Sequence, residues 1–329
     1  MIRYLLKRLV LAVLAMFAVS VLTFLLFFAV PTSPAYVMCG KQCTPHDIAQ
    51  TEQRLGLDRP IVEQYGDFMK GIVAGRTYGE GELAVRCDAP CLGFSFRTNE
   101  PVTSILARTV PATTSIVVGA TVIQILVGVG LGMVSALRRG TAFDRAAVGT
   151  SLVGASMQIY FFGPILLLIF VYQLHALPTP GYTSPFDDPV AWFGQMVLPW
   201  VTLGFLNSAI FARLARAQML ETLAEDFVRT ARAKGLAKWK VYARHALRAA
   251  ITPIVTTAGL YLGSSLGGAV ITETVFGVNG LGRASVDAVN QLNLPVVMAT
   301  VLLAAFFIIV TNVVVDMLYS VIDPRVRLG

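Results

Sequence analysis

Twenty-two consecutive residues, Leu9 to Val30, carry no charge, and Arg3, Lys7 and Arg8 stand directly before them. A run of this length exceeds the roughly 20 residues needed to cross a bilayer as a helix. It also exceeds the apolar core of a cleaved signal peptide, about 7–15 residues. The run is read as a retained first span with its amino terminus inside. Further uncharged runs follow at Ala112–Leu137, Ala146–Leu174, Val190–Ala212, Ile254–Thr272 and Val296–Val321, the last interrupted only by Asp316. With 55% of its 329 residues hydrophobic and 14% charged, the chain is too apolar for a soluble fold of this size. The expected fold class is an all-α polytopic membrane protein with six transmembrane helices.

The net charge of +7 invites a nucleic-acid reading, but its distribution excludes one. Seventeen of the 26 Lys and Arg fall in the N-terminus, 138–145, 213–248 and 325–327. These are the segments that six spans place on one side, which is the positive-inside asymmetry. Both termini are therefore expected in the cytoplasm, and the basic surplus faces anionic lipid. Asp316, at the inner end of the last span, is read as structural, because a lone acid makes no proton relay.

The longest basic island is Glu225–Pro253. Asp226 suits an N-cap and Gly235 a left-handed helix stop, which predicts a helix of about nine residues, roughly 13 Å long. Phe227 and Ala231 fall on one face at i, i+4, with Arg229 and Arg232 on others. A second helical segment is expected over Lys238–Ala250, and Pro253 marks the return into the membrane. Arg229-Thr230-Ala231, with Gly235 four residues on and Leu247 near the end, resembles the EAA loop of ABC-importer permeases. Arg-Thr-Ala-Arg-Ala-Lys-Gly and Arg-His-Ala-Leu-Arg are the variant of the peptide-importer branch. His245 and Arg248 stand where the general pattern has Ile and Pro. Arg213 to Glu221 is similar to the family's extension before that loop. Gly-Leu-Asp-Arg-Pro at 56–60, Leu92 to Arg97, and Glu100-Pro101-Val102 resemble its N-terminal region.

The resemblance implies a type I ABC importer permease for dipeptides or oligopeptides, in the cytoplasmic membrane of a prokaryote. It implies a second related permease, two ABC ATPase subunits and an extracytoplasmic solute-binding protein as partners. Residues Asp226, Phe227, Arg229, Thr230, Ala231, Arg232, Ala233, Lys234 and Gly235 would contact the ATPase. Glu273, Phe276, Gly277, Gly280 and Gly282 lie where the family has its outer turn, and are candidates for an outer gate. Glu273 is placed to meet a peptide amino group or to pair with Arg283. Nickel chelates, glutathione or another small ligand are alternative cargoes, and a secondary transporter is the rival class. No Gly-x4-Gly-Lys-Ser/Thr cradle occurs in the chain. ATP and magnesium are thus expected on partner subunits, with no cofactor, no metal and no catalytic residue here.

The expected organisation is a first span with an external segment over 1–98 and a five-span core over 99–329, containing a cytoplasmic coupling loop at 213–250. Between Pro31 and Glu100 the chain is polar, and Val62, Tyr65, Phe68, Met69 and Ile72 have helical spacing. Residues 77–90 read as an insertion in the family pattern. Cys39, Cys43, Cys87 and Cys91 all lie in this segment. The oxidising side of a membrane favours disulfides, with zinc ligation and free thiols as alternatives, and the pairing is open. Bridges would staple the insertion to the base of the first span.

Elsewhere, Pro111 is expected to break the helix leading into the second span. Gly128 and Gly132 are spaced as GxxxG for close helix approach. Gln158 and Pro164 fall within the third span, Gln158 as helix glue or a cargo contact. Gly259, Gly263 and Gly267 leave one face of the fifth span bare, for helix packing or a smooth pathway wall. Gly263-Ser264-Ser265-Leu266-Gly267 matches G-x-S-x-G, but that motif needs a strand-to-helix turn and a nearby His. His46, His175 and His245 all fall outside the spans.

Overall fold

A computed structural model describes residues 2–28, 44, 46, 52, 59–78 and 84–322. Helix α1 (Ile2–Phe28) leads to α2 (Ile61–Ala74), then to two short antiparallel pairs. In the first, β1 (Arg76–Tyr78) meets β2 (Val85–Cys87) with Thr77 opposite Arg86. In the second, β3 (Phe94–Ser95) meets β4 (Glu100–Pro101) with Phe94 opposite Pro101. Then come α3 (Val102–Leu137), α4 (Ala142–Ser156), α5 (Ile159–Gln173) and α6 (Pro189–Ala224). The short α7 (Asp226–Ala233) precedes α8 (Lys238–Leu266). The remaining helices are α9 (Val270–Val275), α10 (Leu281–Asn290) and α11 (Leu294–Ile322).

Among the described residues α1, α3, α6, α8 and α11 are each long and apolar enough to cross a membrane. A sixth span is counted when α4 and α5 are taken together, bent by 98° between them. The fold is the expected helical one, with the third span broken at Met157-Gln158 rather than continuous.

The bundle is assembled around α6. Its 36 residues reach about 54 Å at 1.5 Å each, well beyond the roughly 30 Å hydrocarbon core. Asp188 caps its start, the carboxylate accepting from the N–H groups of Val190 and Ala191 at 3.0 Å. Helix α3 lies against α6 along glycines. A Cβ on Gly128 would lie 2.7 Å from both the Phe211 Cβ and the Ser208 carbonyl oxygen. One on Gly132 would meet the Ala212 carbonyl and, at 2.8 Å, the Ala215 Cβ. Trp200, also on α6, donates from Nε1 to the Ser115 carbonyl at 2.7 Å. On the other side α8 meets α11, and the glycine stripe does this: Gly259 faces Val315, Gly263 faces Thr311 and Gly267 faces Ala304. The bare face serves helix packing. The G-x-S-x-G match starts inside α8, with no strand before it.

Pro111, expected to break a helix, does not, and Pro253 at the membrane entry also lies inside one. Helix α3 runs through Pro111, and α8 runs through Pro253 as one rod from Lys238. Proline costs one backbone hydrogen bond, which packed neighbours outweigh in membrane helices. Helix α8 also contains a wide π-type turn over Val241–Ala246.

Helix α2 has the expected face except at Val62, which is exposed at the first turn. Tyr65, Phe68, Met69 and Ile72 pack on Phe24 of α1 and Met298 of α11. The Tyr65 and Ser20 hydroxyls lie 2.7 Å apart, tying α2 to α1. The β1–β2 pair carries a disulfide between Cys87 and Cys91. That bridge closes within its own pair and leaves no thiol to reach Cys39 or Cys43. It therefore does not staple this segment to the base of α1; Cys39 and Cys43 lie outside the described residues. The segment is seated instead by packing and hydrogen bonds. Tyr78, Phe94 and both bridged cysteines form one buried cluster, and the Asn293 side chain donates to Ser95 Oγ at 2.7 Å. Burial pushes the Tyr78 phenol up, against the pull of the Arg76 guanidinium 4.8 Å over its ring.

Candidate functional site

Helix α7 begins because Glu225 is extended, with φ −65° and ψ 148°. Glu225, and not Asp226, is the cap residue, and its side chain makes no capping bond. Asp226 occupies the first helical turn, where a carboxylate complements the positive helix end. Its 3.4 Å pair with Arg229 is fully in solvent, so it adds little. The other end is specified by geometry. Gly235 has φ +73°, its N–H donates to the Arg232 carbonyl at 3.0 Å, and the Leu236 N–H donates to Ala231 at 3.4 Å. This is the Schellman closure, which needs a residue tolerant of positive φ. The stop at Gly235 was read correctly from sequence.

Phe227 and Ala231, expected on one face, have different surroundings. Val228 and Ala231 are buried, whereas Phe227 is 46% exposed. Val228 and Ala231 pack with Ala136 of α3, Met219 of α6, and Val241, Ala246 and Ala250 of α8. The i, i+3 pair faces the bundle because α6 arrives from that side, a direction helical spacing alone leaves unset. Burying Val228 contributes about 1.5–3 kcal/mol. Turned outward are Phe227, Leu236 at 39% and Trp239 at 77% exposure. Arg229, Thr230, Arg232, Ala233, Lys234, Lys238 and Lys240 are exposed beside them. Residues 213–248 hold nine Lys and Arg against three acids. The result is three exposed apolar side chains in a cationic field, on and just after a helix seated on three of the long helices.

At the opposite end, Glu273 of α9 is fully buried. Thr113 Oγ1 donates to its Oε1 at 2.7 Å, and the Arg283 backbone N–H donates to its Oε2 at 2.8 Å. Thr113 also accepts from the Leu281 N–H at 2.7 Å. The two side chains thus satisfy the start of α10. The Arg283 guanidinium does not pair with Glu273; it points to Asp287 at 3.9 Å. Gly280 is required here because a Cβ would collide with the Glu273 carboxylate. Gly282 is required too, since a Cβ there would lie 2.7 Å from Val270 Cγ2. Gly277 takes φ +65°, and Phe276 is buried against Ile116, Met196 and Trp200.

Gln158, at the α4–α5 break, is exposed; it is the cap residue of α5, but its side chain makes no capping bond. Asp316 pairs with Arg8 at 2.8 Å, joining α11 to α1, which fits the structural role read for it. One cluster escaped the sequence reading. Asp144 is 5% exposed and accepts from Arg216 Nε at 2.7 Å and Nη2 at 2.9 Å. It also accepts from the Ser135 hydroxyl and from the Gly140 N–H at 2.9 Å. The Thr141-x-x-Asp144 helix start was visible in the sequence; a partner 72 residues away was not. Among the described residues no group of His, Cys, Asp and Glu is placed to hold a metal.

With this geometry in hand, residues 128–328 match the family described as binding-protein-dependent transport system inner membrane component. Residues 1–117 match the N-terminal part of such membrane components. The chain is 34% identical over 347 residues to the dipeptide transport system permease protein DppB of Alkalihalophilus pseudofirmus, covering 99% of this chain and 100% of that one. It is 35% identical over 351 residues to DppB of Escherichia coli, covering 99% of each. A probable peptide ABC transporter permease protein of Sinorhizobium fredii, y4tP, is 35% identical over 324 residues, 98% of this chain and 99% of that one. Among solved structures, an inward-facing MetNI methionine ABC transporter chain superposes with a TM-score of 0.52 at 14% identity. The likeness covers 67% of this chain and 97% of that one, and it speaks to fold alone.

Proposed function

The chain belongs to the family of binding-protein-dependent transport system inner membrane components, and from that premise we propose that it is a permease subunit of an ATP-driven importer of dipeptides and oligopeptides. With a second, related permease it encloses the route, and a solute-binding protein delivers the peptide from outside. Two ATPase subunits hold ATP and magnesium, and this chain carries no cofactor and no catalysis of its own. It lies in the cytoplasmic membrane of a prokaryote with both termini inside. Residues 1–98 supply the first helix and an external segment, and 99–329 supply the five-span core.

The observation that carries this reading is α7. A capped, two-turn helix is fastened to α3, α6 and α8 by Val228 and Ala231, and it offers Phe227, Leu236 and Trp239 outward. Three large apolar side chains exposed within one short loop suit a protein contact. The surrounding Arg and Lys suit acids on a partner. Asp226 to Gly235 is the contact with the ATPase, and its displacement moves α6 and α8 together. At the other end Glu273, Phe276, Gly277, Gly280 and Gly282 form the frame of the outer gate, with Glu273 holding α10 in place rather than reaching for cargo.

The test is assembly and coupling in one preparation. The purified complex of both permeases and both ATPases should hydrolyse ATP faster when binding protein and dipeptide are added. Complexes stimulated by a nickel chelate or by glutathione, and not by dipeptide, would move the cargo to that class.

A further inference from the structure

Asp144 of α4 and Arg216 of α6 form a fork at the same end of the bundle as α7. Both guanidinium donors reach the carboxylate, and Ser135 and Gly140 add two more. Donors from three segments thus converge on a single side chain that is almost entirely out of solvent. Paired forks of this kind fix direction as well as distance.

Beside the fork, part of the α4–α6 contact is left unfilled. A recess of about 280 Å³, open on one side, lies between the two helices and Leu131 of α3, lined by Phe143, Thr150, Ser151, Phe205 and Ser208 among others. Atoms lining such a space lose the dispersion contacts that would otherwise bind the helices. At the wall of the same recess the helices come close, and a Cβ added to Gly154 would lie 3.5 Å from that of Ala209. Two residues further on, α4 ends and the chain turns through 98° into α5.

We propose that Asp144 and Arg216 are positioning residues for transport: their fork makes α4 follow α6, so that displacement of α7 is carried to the α4–α5 elbow. This rests on the reading of α7 as the ATPase contact. Without the fork α6 would slide past α4 into the open space, and hydrolysis would proceed without moving the elbow.

The experiment measures ATP hydrolysed per dipeptide imported in proteoliposomes containing the full complex. Asp144→Asn, and Arg216→Lys, which keeps the charge and loses the fork, should assemble normally. They should raise that ratio about five-fold or more, the lower end for coupling between distant sites. A second tie between the same helices should then replace the fork. Gly154→Cys with Ala209→Cys has the Cβ separation of a disulfide, about 3.5–4.5 Å. Oxidised after assembly in the Asp144→Asn background, it should restore the wild-type ratio, and reduction should remove the benefit. Wild-type complex given the same oxidant and reductant controls for the native cysteines. An unchanged ratio in both variants overturns the proposal, as does a formed disulfide that restores nothing. If neither variant assembles, the fork is a folding element and the proposal is also overturned. A wild-type complex with no dipeptide-stimulated hydrolysis would instead sink the ATPase reading on which this rests.

Discussion

The Glu273 carboxylate meets the backbone N–H of Arg283, 2.8 Å away, and not its guanidinium. The acid therefore serves the start of α10, and the arginine side chain is dispensable to it. Glu273→Ala leaves that N–H and the Thr113 hydroxyl buried without this acceptor, at about 1–3 kcal/mol each. Arg283→Ala should stay within about 0.5 kcal/mol, as surface changes do. Thermal unfolding of the two variants in one detergent should separate them by several degrees, with Glu273→Ala the lower.

Phe227 and Val228 are neighbours with opposite surroundings, the one half in solvent and the other fully enclosed. Phe227→Asp should leave the fold of this chain unchanged and weaken ATPase binding ten-fold or more, about 1.4 kcal/mol upward. Val228→Asp places a charge among Met219, Val241 and Ala246, so it should unseat α7 altogether. Ala231→Glu belongs with the second case, because Ala231 is buried in the same cluster. Co-purification of the ATPase, set beside protease sensitivity of the permease alone, distinguishes the two effects.

Arg8 and Asp316 tie α1 to α11 at 2.8 Å, with both side chains partly in solvent. A double-mutant cycle should give a coupling of about 0.2–1 kcal/mol, the range of exposed pairs. Exchanging the charges, Arg8→Asp with Asp316→Arg, should recover most of it in thermal unfolding.

The helix count and the stop at Gly235 could be read from sequence because each is a local property. Uncharged length sets a span, and only a residue tolerant of positive φ closes α7 in that way. Gly128 and Gly132 announced a close approach, but nothing in the sequence named α6 as the partner. Which face of α7 is buried depends on where α6 and α8 stand, so the burial of Val228 beside an exposed Phe227 could not be read. Pro111 misled for the same reason: proline breaks an isolated helix, and here neighbouring helices override it. Least legible were Asp144–Arg216 and Glu273–Thr113, whose partners lie 72 and 160 residues apart. Neither pairing has a spacing that a pattern could reveal.

The α3–α6 seam makes its own prediction. Gly128→Val puts carbon against the Phe211 Cβ and the Ser208 carbonyl, both 2.7 Å from a Cβ at that site. Overpacking of this kind costs about 1–3 kcal/mol. Gly130, two residues along the same helix, has open space around it, and Gly130→Ala should be tolerated. Expression level and thermal unfolding should fall for the first and hold for the second.

Uptake of labelled dipeptide into proteoliposomes, with binding protein outside and ATP inside, tests α7 as a motor contact most directly. Vesicles holding both permeases and both ATPases should accumulate dipeptide. Vesicles lacking the ATPases, or carrying Phe227→Asp, should not. Accumulation by the permeases alone would contradict the account.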